Sequence, residues 1–73
     1  MTDQQTIPLG QRIAHRRRAL CLTQTDLAAL VGVAQPTLSL WETGANTPSL
    51  HHRPRLSEAL GVPVADLFTE DVA

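Results

Sequence analysis

The sequence predicts a compact all-α domain of five short helices, and three observations carry that reading. Apolar residues recur at helical spacing along most of the chain. No run alternates polar and apolar residues as a half-buried strand does. Gly or Pro punctuates nearly every helical segment. With 73 residues the chain forms one small domain at most.

The elements follow in order. Residues 1–8 are polar with little periodicity and read as a flexible N-terminal arm, with Pro8 just before a helical pattern. Leu9, Ile13 and Leu20 fall at i, i+4 and i+11, one face of a first helix. Thr23 then fits a helix N-cap, and Asp26 three residues later supplies a short version of the capping box. Leu27, Ala28 and Val31 form the apolar face of this second helix, which Gly32 stops. A third helix follows at once, with Pro36 in its first turn, Leu38 and Trp41 inward, and Gly44 at its end. Ala45 to Ser49 is loop chemistry.

The fourth helix has two candidate starts. Ser49 could cap it, but Pro54 would then lie inside the helix and remove a hydrogen bond. Proline also biases Arg53 away from helical angles. The sequence therefore predicts a helix from Pro54 to Gly61, with Leu50 packed from a single-turn lead-in. Pro63 opens a last short helix carrying Val64, Leu67 and Phe68. The domain spans 9–69, and 70–73 form a C-terminal tail.

Composition excludes several classes. A single cysteine, Cys21, cannot form an internal disulfide, and no zinc-type Cys/His spacing exists. The core must then be aliphatic, which 42% hydrophobic content permits. His51 and His52 lack companion carboxylates at ligand spacing, so no metal is expected. No stretch approaches the roughly 18 apolar residues of a membrane span. Met1 to Thr6 lacks the basic start of a secretory signal. A soluble cytoplasmic protein is expected. No nucleophile–base set or phosphate loop is readable, so the chain reads as a non-enzyme without cofactor or small-molecule substrate.

Charge is unevenly spread. Residues 1–22 carry Arg12, Arg16, Arg17 and Arg18 against Asp3, and residues 54–73 carry Arg55 against four acids. The net charge of -1 argues against unselective coating of nucleic acid. A local basic face remains open, beside the plainer reading of Arg16 to Arg18 as a solvated helix surface.

The informative segment runs from Thr23 to Gly44. Two short helices joined at Gly32, with small Ala28 where the backbones approach, describe a close perpendicular crossing. A generic helical hairpin would show as much. The wider pattern is more specific: Leu22-Thr-Gln24, Leu27-Ala28, Gly32-Val33, Trp41-Glu42, Gly44, Pro48 and Leu60-Gly61-Val62 occur in order. In these the chain resembles the lambda-repressor-like (Xre/Cro) helix-turn-helix domains, from about Leu9 to Phe68. The lambdoid phage repressors also place a proline where Pro54 stands.

The resemblance implies a third helix that enters the major groove of double-stranded DNA. It places Gln35, Pro36, Thr37 and Leu40 against bases, with Gln35 reading adenine through its amide. It places Arg17, Thr23, Gln24, Ser39, Thr43 and Asn46 against the phosphate backbone, with Gln24 also bracing Gln35. It pairs Arg17 with Glu42 as a largely buried structural ion pair. Trp41 reads as core.

Four features depart from the family pattern. Leu40 stands where a polar residue is usual, and the loop Ala45 to Thr47 lacks Lys or Arg. Cys21 stands where Gly is usual, so a left-handed backbone there would be strained. Arg16 replaces an apolar residue and must snorkel or face solvent. The leading expectation is a small transcriptional regulator, a repressor foremost, acting as a homodimer on an inverted repeat. The alternative is a protein-interaction module of the same fold with weak or lost DNA binding. Val62, Val64, Leu67, Phe68 and Val72 exceed what one short helix buries, which places a two-fold interface near the last helix.

Overall fold

The computed structural model describes residues 7–68, which form five helices: α1 (Leu9–Ala19), α2 (Gln24–Val31), α3 (Gln35–Thr43), α4 (Arg53–Leu60) and α5 (Val64–Leu67). No strand occurs among the described residues. Most of the expected arm, the 70–73 tail and Val72 lie outside them.

Helices of 8 or 9 residues are unstable alone in water, so packing must hold them. Ile13, Leu27, Leu38, Leu56 and Leu60 are fully buried, and Trp41, Val31, Ala28 and Leu67 close around them. Each of the four longer helices supplies at least one of those five anchors. Thus α3 rests on α1 and α2, α4 on α2, and α5 on α4 and α1. None of the described helices is long and apolar enough to cross a membrane.

Local chemistry sets the boundaries of the central pair. The Thr23 hydroxyl accepts from the Asp26 N–H at 3.0 Å, and the Asp26 carboxylate accepts from the Thr23 N–H at 3.0 Å. This reciprocal box satisfies two donors that a helix start leaves open. Those bonds also hold the Asp26 carboxyl below its ordinary value. Gly32 (φ 87°) and Gly44 (φ 88°) end α2 and α3 in the left-handed region, where a Cβ is disfavoured. Cys21 adopts φ 61° at the end of α1, the strained geometry expected of a non-glycine residue there.

Elsewhere the structure corrects the sequence reading. Leu20 does not extend the apolar face of α1: it sits at the helix C-cap and is exposed. Leu50 is not packed but 76% exposed. The turn that carries it bonds His52 N–H to the Ser49 carbonyl and Arg53 N–H to the Leu50 carbonyl. That turn brings Arg53 into helical geometry, so α4 starts one residue before Pro54, which still occupies the first turn. Tertiary contacts outweigh the pre-proline bias, because the Arg53 guanidinium also donates to the Pro48 carbonyl and covers the Phe68 ring at 4.6 Å. The apolar surplus near α5 is largely absorbed within the chain. Leu67 is buried, Val62 and Phe68 pack on the core, and of these four described residues only Val64 is exposed.

Candidate nucleic-acid interface

The candidate surface is the solvent side of α3. At about 100° per residue, Pro36, Leu40 and Thr43 stack along one outer stripe, opposite buried Leu38 and Trp41. Gln35 and Ser39 flank that stripe on the side of Glu42. Thr37 lies on the other flank, half-buried. The Leu40 carbonyl accepts from the Thr43 hydroxyl and from the Asn46 N–H, each at 3.2 Å, which ties the following loop to the helix end.

Behind Gln35 runs a line of hydrogen bonds through three helices. Arg17 of α1 meets Glu42 of α3 side-on, Nε to Oε2 at 2.7 Å and Nη2 to Oε1 at 3.1 Å. Arg17 Nη1 also donates to the Leu22 carbonyl at 2.9 Å. Glu42 Oε1 accepts from Gln24 Nε2 at 2.9 Å, and Gln24 Oε1 accepts from Gln35 Nε2 at 2.7 Å. The Arg17 and Glu42 side chains are only 11% and 6% exposed. Burial pushes the Glu42 carboxyl up, but the bonds from Arg17 and Gln24 and the charges of Arg17 and Arg18 prevail and hold it below its ordinary value. The Arg17 guanidinium is raised by its bond to Glu42. Both therefore stay charged at neutral pH.

A helix-turn-helix family profile matches residues 13–67. The chain belongs to the lambda-repressor-like helix-turn-helix family. It is 40% identical over 60 residues to an uncharacterized HTH-type transcriptional regulator of Methanothermobacter thermautotrophicus, covering 81% of this chain and 87% of that protein. It is 36% identical over 62 residues, 85% of its length, to an uncharacterized transcriptional regulator in the ATPase CF(0) region of Rhodospirillum rubrum. The chain spans 57% of the length of that relative. Among solved structures, the P22 c2 repressor in complex with a synthetic operator superposes with a TM-score of 0.84 at 33% identity, covering 90% of this chain and 100% of that one.

Within this lambda-repressor-like domain the structure brings Gln35, Gln24, Glu42 and Arg17 into direct contact. Thr23, Thr43 and Asn46 are exposed, and Ser39 is half-buried. Thr37 stands apart from Gln35, across the axis of α3. Much of the arginine charge is already engaged. Besides Arg17, Arg16 Nε donates to the Leu60 carbonyl at 2.8 Å and Arg53 bonds the Pro48 carbonyl. His52 packs against Trp41 with the rings tilted and their centroids 5.5 Å apart, and shares a 3.1 Å bond with Ser49, which gives it a structural place.

One supporting residue escaped the sequence reading. Gly10 is buried in α1, where a Cβ would stand 2.6 Å from the Trp41 carbonyl oxygen and closer still to that of Glu42. Only glycine lets α1 come this close to the end of α3, and that approach brings Arg17 within reach of Glu42. A glycine inside an otherwise helical run was the available signal, since it lowers helix propensity without an evident turn to serve.

Proposed function

We propose that the chain is a sequence-specific double-stranded-DNA-binding transcriptional regulator, acting in the cytoplasm as a homodimer on an inverted-repeat operator. It acts as a repressor by occupying that operator. The observation that carries this reading is the Gln35 side chain held at the exposed start of α3 by Gln24, a preorganised amide at the mouth of the helix-turn-helix. The operator complex of the similar P22 c2 repressor supports it.

In this reading α3 lies in the major groove, and Gln35, Pro36, Thr37 and Leu40 meet base edges. Leu40, on the outer stripe, suits a thymine methyl group. Thr23, Gln24, Ser39, Thr43 and Asn46 position the phosphate backbone, as do the Arg17 N–H groups left over from Glu42 and Leu22. Two-fold pairing sets the two recognition helices about 34–36 Å apart, one turn of DNA.

The test is Gln35→Ala, assayed against the best site from a random duplex library and against random duplex. Binding to the best site should weaken by about 1–3 kcal/mol and binding to random duplex far less. Equal losses on both would reduce Gln35 to a backbone contact. The second reading, a protein-interaction module, is favoured by exposed Leu30 and Leu40 and by the engaged arginines. It gains if the protein shows no salt-dependent affinity for duplex DNA.

A further inference from the structure

We infer that Glu42, which faces away from the groove, determines which base Gln35 reads, by fixing the polarity of two amides in series. The inference rests on the readout proposed above and adds a positioning residue to it. A glutamine amide has a donor end and an acceptor end, and a half-turn of the group exchanges them. Gln35 alone therefore does not choose between offering a donor–acceptor pair and offering two donors. Its neighbours choose.

The choice starts from the carboxylate, which can only accept. Arg17 pins Glu42 through two bonds and keeps it ionised. Gln24, 2.9 Å away, must then turn its NH₂ toward Glu42, and its oxygen points the opposite way. Gln35 meets that oxygen at 2.7 Å and must in turn give it an N–H. What remains of Gln35 is its oxygen and its second N–H. That pair complements the N6 donor and N7 acceptor that adenine shows in the major groove. The reversed order would lodge the Gln35 oxygen against Gln24 and send two N–H groups outward. Two donors match O6 and N7 of guanine, both acceptors. Glu42 thus selects adenine over guanine from a distance of two residues in the line.

The experiment compares adenine with guanine at the base pair whose preference disappears in Gln35→Ala. The wild-type protein should favour adenine there by about tenfold or more. Glu42→Gln replaces the acceptor-only group with one that presents either end. The preference should then drop well below about tenfold, toward equality, because neither amide order is enforced. Gln24→Met cuts the line while leaving the Arg17–Glu42 pair in place, and serves if Glu42→Gln does not fold. It should weaken binding to every sequence and also flatten the adenine-to-guanine ratio, which mere loss of a phosphate contact would not alter. A folded variant that keeps the wild-type ratio overturns the inference, as does a wild-type preference for guanine. If Gln35→Ala abolishes no base preference at all, the readout itself fails and the inference falls with it. That outcome differs visibly from a preference that depends on Gln35 but ignores Glu42.

Discussion

The α2–α3 pair and the α4–α5 pair are held in place by different physics, although adjacent residues of α1 support both. In α2–α3 each boundary carries its own local device: a capping box at Thr23, left-handed glycines at 32 and 44, and proline in the first turn of α3. The inward polar groups there are bonded to one another, from Arg17 to Gln35. The boundaries of α4 repeat those of α3, with Pro54 in the first turn and left-handed Gly61 (φ 71°) at the end, but neither α4 nor α5 has a capping box, and α5 is only 4 residues long. That half depends on Leu56, Leu60 and Leu67 in the core and on two arginines, Arg16 from α1 and its own Arg53. Arg16 reaches the last carbonyl of α4, and Arg53 covers Phe68. Polar order marks the half that faces DNA in the proposed reading, while aliphatic packing carries the other.

The largest expected effect breaks the polar half. Arg17→Met leaves Glu42 buried without its counter-charge, and removing one partner of such a pair costs about 3–5 kcal/mol. A domain of this length has a total stability of roughly 4–11 kcal/mol, so chemical denaturation should show the variant losing a large share of it, and all of it at the lower end of that range. Adding Glu42→Leu should recover much of the loss, because the desolvated charge is then gone as well. A loss below 1 kcal/mol for Arg17→Met alone would show that the pair is not structural.

Acid probes the same contrast with a defined sign. The Glu42 carboxyl is held below its ordinary value in the folded chain, so its contribution is fully present above the unfolded value, about 4.3. That contribution fades as pH falls below 4.3 and is gone once the pH passes below the folded value. Asp26, also depressed by its bonds to Thr23, acts in the same direction. Where Arg17→Met stays folded, burial alone acts on Glu42 and pushes its carboxyl up. The Glu42 contribution then changes sign. Unfolding free energies between pH 6 and pH 3 should fall in the wild-type chain and fall less, or rise, in the variant. Parallel curves would remove Glu42 from the acid response.

How much of this was legible in the sequence follows from the same division. Thr23, Asp26, Gly32, Pro36 and Gly44 each act within a few residues of their own position, and α2 and α3 were readable to within a residue. The inward faces of those helices were readable too, since Leu27, Ala28, Val31, Leu38 and Trp41 are all buried. Leu20 and Leu50 misled because helical spacing does not reveal that the helix has ended or that a turn points outward. The start of α4 moved because Arg53 finds partners at Pro48 and Phe68, one of them fifteen positions away. The resemblance to a family supplied the pairing of Arg17 with Glu42 and of Gln24 with Gln35, which periodicity could not. That these two contacts join into one line through a shared carboxylate became visible only in three dimensions. So did the close backbone approach at Gly10.

A smaller effect tests how the other half is supported. Arg16→Ala removes a hydrogen bond to the Leu60 carbonyl from an exposed side chain. A bond of that kind contributes about 0.5–1.5 kcal/mol, well under the value for Arg17 one residue along. Thermal melts of the two variants should differ accordingly. Equal losses would mean that the end of α4 relies on Arg16 as heavily as α3 relies on Arg17, and the contrast between the halves would fail.

The smallest effect runs in the opposite direction. Ser57 is 4% exposed on α4, and its hydroxyl has no hydrogen-bond partner among the described residues. A buried hydroxyl left unpaired loses its water contacts without replacement, a cost of about 1–3 kcal/mol by mutational measures. Alanine would remove that group, leave almost no cavity and suit a helix interior better than serine. Ser57→Ala should therefore raise stability by up to about 1 kcal/mol, a shift of some 4–8 °C in melting temperature for a domain of this size. No comparable gain is available in the Arg17–Gln35 line, where each truncation strands a bonded partner. If Ser57→Ala instead lowers the melting temperature, the hydroxyl has a partner in solution, and polar order extends into α4 as well.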